Sequence, residues 1–114
     1  MTTFHVTHGD INHAFSVIIS DADGDAVDLT TRTVDFLMWT PSASAFTVDG
    51  EATNDAETTG KSDYAIDDWS GIPNPGLNNS ALYRMVWRMT SADGTIDTVP
   101  NINDAHIVIV AGVP

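Results

Sequence analysis

The chain contains no cysteine, so neither a disulfide nor a thiolate metal site contributes to its fold. Basic residues are scarce: Arg32, Lys61, Arg84 and Arg88 stand alone against sixteen acidic residues. Four cations cannot form the stripe that tracks a phosphate backbone, so nucleic acid is not an expected partner. The longest apolar run near the end, Ile107 to Ala111, is far too short to span a bilayer as a helix. The opening Met1-Thr2-Thr3-Phe4-His5 carries neither the basic nor the apolar stretch of a secretory leader. The expectation is a soluble protein made inside a cell, with no membrane partner. No long helical period runs through the chain either.

What is present is acid. The net charge is −12, and all but two of the acidic residues, Glu51 and Glu57, are aspartate. Self-repulsion of that size opposes compaction at low ionic strength. A Debye length of about 3 Å at 1 M salt removes most of the cost. An acidic, Lys-poor, Thr-rich surface therefore fits a protein that works in high salt. With 114 residues, the chain is expected to form one domain, residues 1–114, large enough to bury a core without staples.

Short alternating runs separated by turn signals dominate the sequence. Phe4 and Val6 open a first strand, and Phe15, Val17 and Ile19 share a face of a second. Asp21-Ala22-Asp23-Gly24 reads as a tight turn, leading into a short return strand with Val27 and Leu29. Val34, Phe36 and Met38 line one face of a long strand that ends before Pro41. Phe46 to Ala52 reads as a hairpin turning at Asp49-Gly50, and Tyr64 with Ile66 marks another strand. Gly71 to Ser80 is a loop. Tyr83, Met85, Trp87 and Met89 then give the clearest period-2 stretch. Ala92-Asp93-Gly94-Thr95 turns it back into Ile96–Val99, and Ile107 to Val110 closes the domain. Seven to eight antiparallel strands without a helix predict an all-β, immunoglobulin-like β-sandwich, with a small barrel as the alternative. Phe15, Val17, Val34, Phe36, Tyr83, Met85, Trp87, Ile107 and Ile109 are expected to face the core.

The chemistry-bearing residues do not assemble into a familiar site. From Asp21, the sixth and twelfth positions of a calcium loop hold Ala26 and Arg32 instead of Gly and Glu. A solvated hairpin fits better, with weak cation binding by surface Asp as the residual option at high ionic strength. His5 and His8 point to opposite faces of a strand, and His106 stands apart beside Asp104. Asp67 and Asp68 diverge as neighbours on one strand. Neither a nucleophile triad nor a phosphate loop is present. No catalytic, cofactor-binding or metal-ligating residue is expected, and no cofactor. Contact residues are the better candidates. Trp39 lies off the Val34-Phe36-Met38 face and reads as core or as interface anchor. Phe46 begins a candidate edge. Ile72 and Leu77 are apolar in the Gly71–Ser80 loop, where they dock a partner or cap the domain's own core. Val113 lies in the Gly112-Val113-Pro114 tail, and the termini are further contact candidates. Trp69 is expected to pack over the domain end.

The order of segments resembles the small immunoglobulin-like domains of tailed-phage particles, like that at the N-terminus of baseplate upper proteins. The resemblance runs from Gly9-Asp10 and Phe15-Ser16-Val17-Ile18-Ile19 through Asp21-Ala22-Asp23-Gly24 to Val27-Asp28-Leu29-Thr30. It continues in Thr33-Val34-Asp35-Phe36-Leu37-Met38 and in Tyr64 with Asp67-Asp68. Its last part is Leu82-Tyr83-Arg84-Met85, Ala92-Asp93-Gly94-Thr95, Val99-Pro100 and Ile107-Val108-Ile109-Val110. These motifs specify a fold better than a chemistry. Baseplate upper proteins continue into oligomerising and receptor-facing regions, so receptor binding is not implied for a chain ending at Pro114. What the resemblance implies is a non-enzymatic virion structural protein of a tailed virus, in capsid, neck or tail. With the acidic composition, a halophilic, archaeal host is expected. Its partners would be other virion proteins and copies of itself, and its location the virion, assembled in the host cytoplasm. The alternatives are a receptor- or glycan-binding tail module and a carbohydrate- or ion-binding accessory domain of a cell-surface protein.

Overall fold

The computed structural model describes residues 2–100 and 105–114, and all structural statements refer to these. Nine strands carry the chain: β1 (Thr3–Thr7), β2 (Ala14–Ile18), β3 (Thr33–Trp39), β4 (Val48–Glu51), β5 (Thr53–Asn54), β6 (Lys61–Ala65), β7 (Ser80–Thr90), β8 (Ile96–Val99) and β9 (His106–Ala111). They form two sheets. The larger runs β1-β9-β7-β3-β4, with β8 also paired to β7, and the smaller runs β2-β6-β5. The all-β sandwich is as the strand pattern predicts. One pairing departs from the antiparallel expectation, because β1 lies parallel to β9, with Thr3 opposite Ile107 and Thr7 opposite Ala111.

Alternation in β3 and β7 builds the core. Their antiparallel register sets Phe36 opposite Trp87 and Met38 opposite Met85. Val34, Phe36, Met38, Tyr83, Met85 and Trp87 are all buried, as is Phe15 from the smaller sheet. An aromatic chain ties the two layers together. The Phe4 and Phe15 rings meet edge to face at 5.6 Å, Phe15 lies 5.1 Å from Phe36, and Phe36 stacks on Tyr64 at 4.7 Å. Trp87 closes the chain edge-on to Phe36 at 5.3 Å. Such offset and T-shaped pairs add about 0.5–1.5 kcal/mol each beyond their area.

Four expectations need correction. In β9 the inward residues are Val108 and Val110, while Ile107 and Ile109 are half-buried on the outer face. Val108 is set opposite Phe4 on one side and Tyr83 on the other, both core-facing, which fixes the register. Val17 is half-buried at the core's margin rather than fully inside. Val27 and Leu29 form no ladder strand, and only Ser20 and Ala26 make an isolated bridge, although Leu29 is still buried. Lastly, Asp49-Gly50 is not a turn. Both residues lie inside β4, with Gly50 opposite Phe36. The Tyr64 ring rests on Gly50 so closely that any Cβ would collide with it. The glycine marks a close approach. The change of direction comes at Ala52, whose N–H bonds Val34 O at 2.8 Å where the chain passes from the larger sheet to the smaller.

Candidate interaction surfaces

Turn chemistry accounts for many of the aspartates. Asp21 Oδ1 accepts from the N–H groups of Asp23 and Asp25 at 2.9 and 3.0 Å. Asp28, Asp55, Asp68 and Asp93 likewise accept from residues just ahead, and those bonds hold their carboxyls below the ordinary 3.8. The aspartate of the calcium-like segment is thus engaged by its own backbone. Among the described residues, no group of three or more His, Asp or Glu side chains is placed to hold a metal ion.

The described histidine contacts are with backbone and aromatic rings. His8 Nε2 lies 2.6 Å from Ile72 O, and its ring sits 4.9 Å from the Trp69 ring. Trp69 in turn donates from Nε1 to Asp10 O at 3.0 Å, closing the domain end as expected. His13 packs on Phe15, and His106 on Phe4. Asp104, expected beside His106, and Met1 lie outside the described residues.

Burial lowers the His106 pKa below 6.5, so folding favours its neutral ring. The unfolded chain therefore takes up this proton first. The contribution is complete above pH 6.5 and is lost as pH falls from there toward the lower folded value. Thermal melts between about pH 7.5 and 5 should show a drop that His106→Asn reduces.

The five predicted contact residues separate into three situations. Trp39, at the end of β3, is half-buried on the outer face of the larger sheet. It packs against Leu37, Val86 and Ala105, a small cluster apart from the main core. Phe46 meets the Trp39 ring edge-on at 5.8 Å and is 42% exposed. With Ala43, Ser44 and Ala45 they border a shallow hollow of about 170 Å³. That is below the 300–1,000 Å³ of typical small-molecule sites, so the corner suits a protruding side chain better than a whole ligand.

Ile72 and Leu77, grouped in sequence, part company. Ile72 is 3% exposed and belongs to the main core, so its docking role is corrected to a cap. The cause is the Trp69–His8 closure, since Ile72 N bonds Trp69 O while Ile72 O receives His8. Leu77 is 59% exposed. Ile72→Ser should cost about 2–5 kcal/mol in urea unfolding. Leu77→Ser should stay within about 0.5 kcal/mol of the parent.

Val113 is half-buried and tied to its own domain. Asn74 Nδ2 donates to Val113 O at 2.9 Å, and Val113 N donates to Asn74 Oδ1 at 3.0 Å. Gly112 packs directly on the Gly76 backbone, where a Cβ would collide. These contacts hold the tail against its own domain. Apolar surface residues missed in sequence are Ile11, Ile18 and Ile96, Leu82, which is 43% exposed, and the outward, half-buried Ile107 and Ile109. The alternation of β7 holds the signal for Leu82, which shares its face with Arg84 and not with Tyr83.

Neither a family model nor a curated protein sequence matches the chain. Among solved structures, the fold is similar to the crystal structure of CopC from Methylosinus trichosporium OB3b. The TM-score is 0.52 at 15% identity, covering 98% of this chain and 86% of that one. At that identity the likeness concerns the β-sandwich alone.

Proposed function

We propose that this chain is a non-enzymatic structural protein of a tailed-virus particle, acting through protein–protein contacts in a high-salt setting. The observation that carries the reading is the exposed aromatic corner of Trp39 and Phe46 beside the outer face of the larger sheet. Tryptophan and its aromatic neighbours are enriched where proteins dock. The segment-by-segment resemblance to tailed-phage immunoglobulin-like domains supplies the setting. The acidic composition supplies the salt.

The test is quantitative mass spectrometry of gradient-purified particles. A fixed integer ratio to the major capsid protein is the expected result. Presence only in the host-cell fraction would remove the virion reading. Binding of isolated chain to host glycans, with none to particles, would favour the receptor- or glycan-binding alternative.

A further inference from the structure

Among the described residues, the outer face of the larger sheet contains an area without carboxylates. Register defines it. Trp39, Arg84, Ile107 and Thr3 form one row across β3, β7, β9 and β1. The next row is Leu82, Ile109 and His5. The third is Ser80, Ala111 and Thr7. All are half-buried or exposed on the side opposite Tyr83, Val108 and Phe4. Not one is acidic, in a chain with sixteen acidic residues, and Arg84 is one of only four basic side chains. Leu82 is 43% exposed at the middle of the area.

We infer that this face binds the same face of a second copy of the chain, around a two-fold axis passing over Leu82 and Ile109. Charge identifies the occupant. Two chains of −12 repel through nearly every surface, and this face lets them meet without opposing carboxylates. The two-fold also gives each row a partner. The Leu82–Ile109 row meets itself. The Arg84 row lies over the Ser80–Thr7 row of the other copy, whose hydroxyls accept from the guanidinium. Two sheets packed this way stand about 10 Å apart.

The area sets the strength. Three rows across β7, β9 and β1, with Trp39 extending the first onto β3, make a footprint of about 15 by 20 Å per copy. The pair buries roughly 600–800 Å², below the standard size of specific interfaces, so pairing is weak and depends on concentration. It also strengthens with salt, because the flanking carboxylates repel until screened. The inference stands on the sheet face and not on the virion reading.

Sedimentation velocity of the purified chain, from micromolar to about 0.5 mM in about 2 M NaCl, reads it directly. A monomer–dimer equilibrium is expected. Leu82→Asp places a carboxylate on the axis and should weaken the dimer at least about tenfold, with an unchanged melting temperature. Leu77→Asp, at a leucine that is 59% exposed and belongs to none of the three rows, should leave pairing intact. A monomer at every concentration overturns the inference, and so does a dimer that survives Leu82→Asp or fails with Leu77→Asp. Failure to find the chain in particles would remove the virion reading and leave this result untouched.

Discussion

Trp87→Ala is expected to remove about 3–5 kcal/mol of stability, the cost of emptying a large aromatic site in a core that cannot fully collapse. Trp87 is 1% exposed and sits mid-way along β7, the strand that joins β3, β8 and β9. Its indole meets the Phe36 ring edge-on, and Phe36 stacks on Tyr64 of the opposite sheet. The cavity would open where both sheets share their largest contacts. A domain of this length holds about 6–17 kcal/mol in total, at 0.05–0.15 kcal/mol per residue. The variant would therefore lose a large share of its stability and could be unfolded at low salt. Urea unfolding followed by circular dichroism gives the number. Trp39→Ala is the comparison. Half-buried at a strand end, Trp39 should cost clearly less. A loss below about 1 kcal/mol for Trp87→Ala would contradict its central place in the core.

Strands with strict alternation were legible, and strands without it were not. Tyr83, Met85, Trp87 and Met89 are four apolar residues on one face, alternating with Arg84 and Arg88 on the other, so only one orientation buries them without burying a guanidinium. Ile107-Val108-Ile109-Val110 is apolar on both faces and carries no such information. Its orientation is set by neighbours on both sides, Phe4 and Tyr83, which a reading of β9 alone cannot see. With Ile107 and Ile109 read as core residues, the outer surface they form is not visible in the sequence. Asp49-Gly50 failed for a related reason. Asp-Gly is a strong local turn signal, yet Gly50 is needed under a ring fourteen residues ahead. Ile72 and Leu77 looked alike in one loop, and only the His8–Trp69 closure separates them. Tertiary contacts decided each of these cases, while local chemistry decided the aspartate turns.

Raising NaCl from about 0.1 to 2 M should increase stability by roughly 3 kcal/mol, or about 10 °C in melting temperature. The size follows from charge and dimensions. The folded chain gathers −12 within a radius of gyration of 14.6 Å. The unfolded chain spreads the same charge over about 34 Å. Treated as charged spheres in water, the two differ by roughly 4 kcal/mol of repulsion at a Debye length of about 10 Å and by roughly 1 kcal/mol near 2 Å. Salt also strengthens apolar burial, so a rise alone does not establish its cause. The square dependence on charge separates the two effects. Asp10, Asp23, Asp25, Glu51, Glu57 and Asp67 are exposed, and their side chains take no part in the turn bonds described above. Changing all six to Asn or Gln takes the charge from −12 to −6, since six of the sixteen acidic groups are neutralised. The electrostatic part of the salt response should then fall to about a quarter, while the apolar part is unchanged. A variant that keeps the parent's full salt response would show that repulsion is not what high salt relieves, and would leave the proposed high-salt setting without its physical basis.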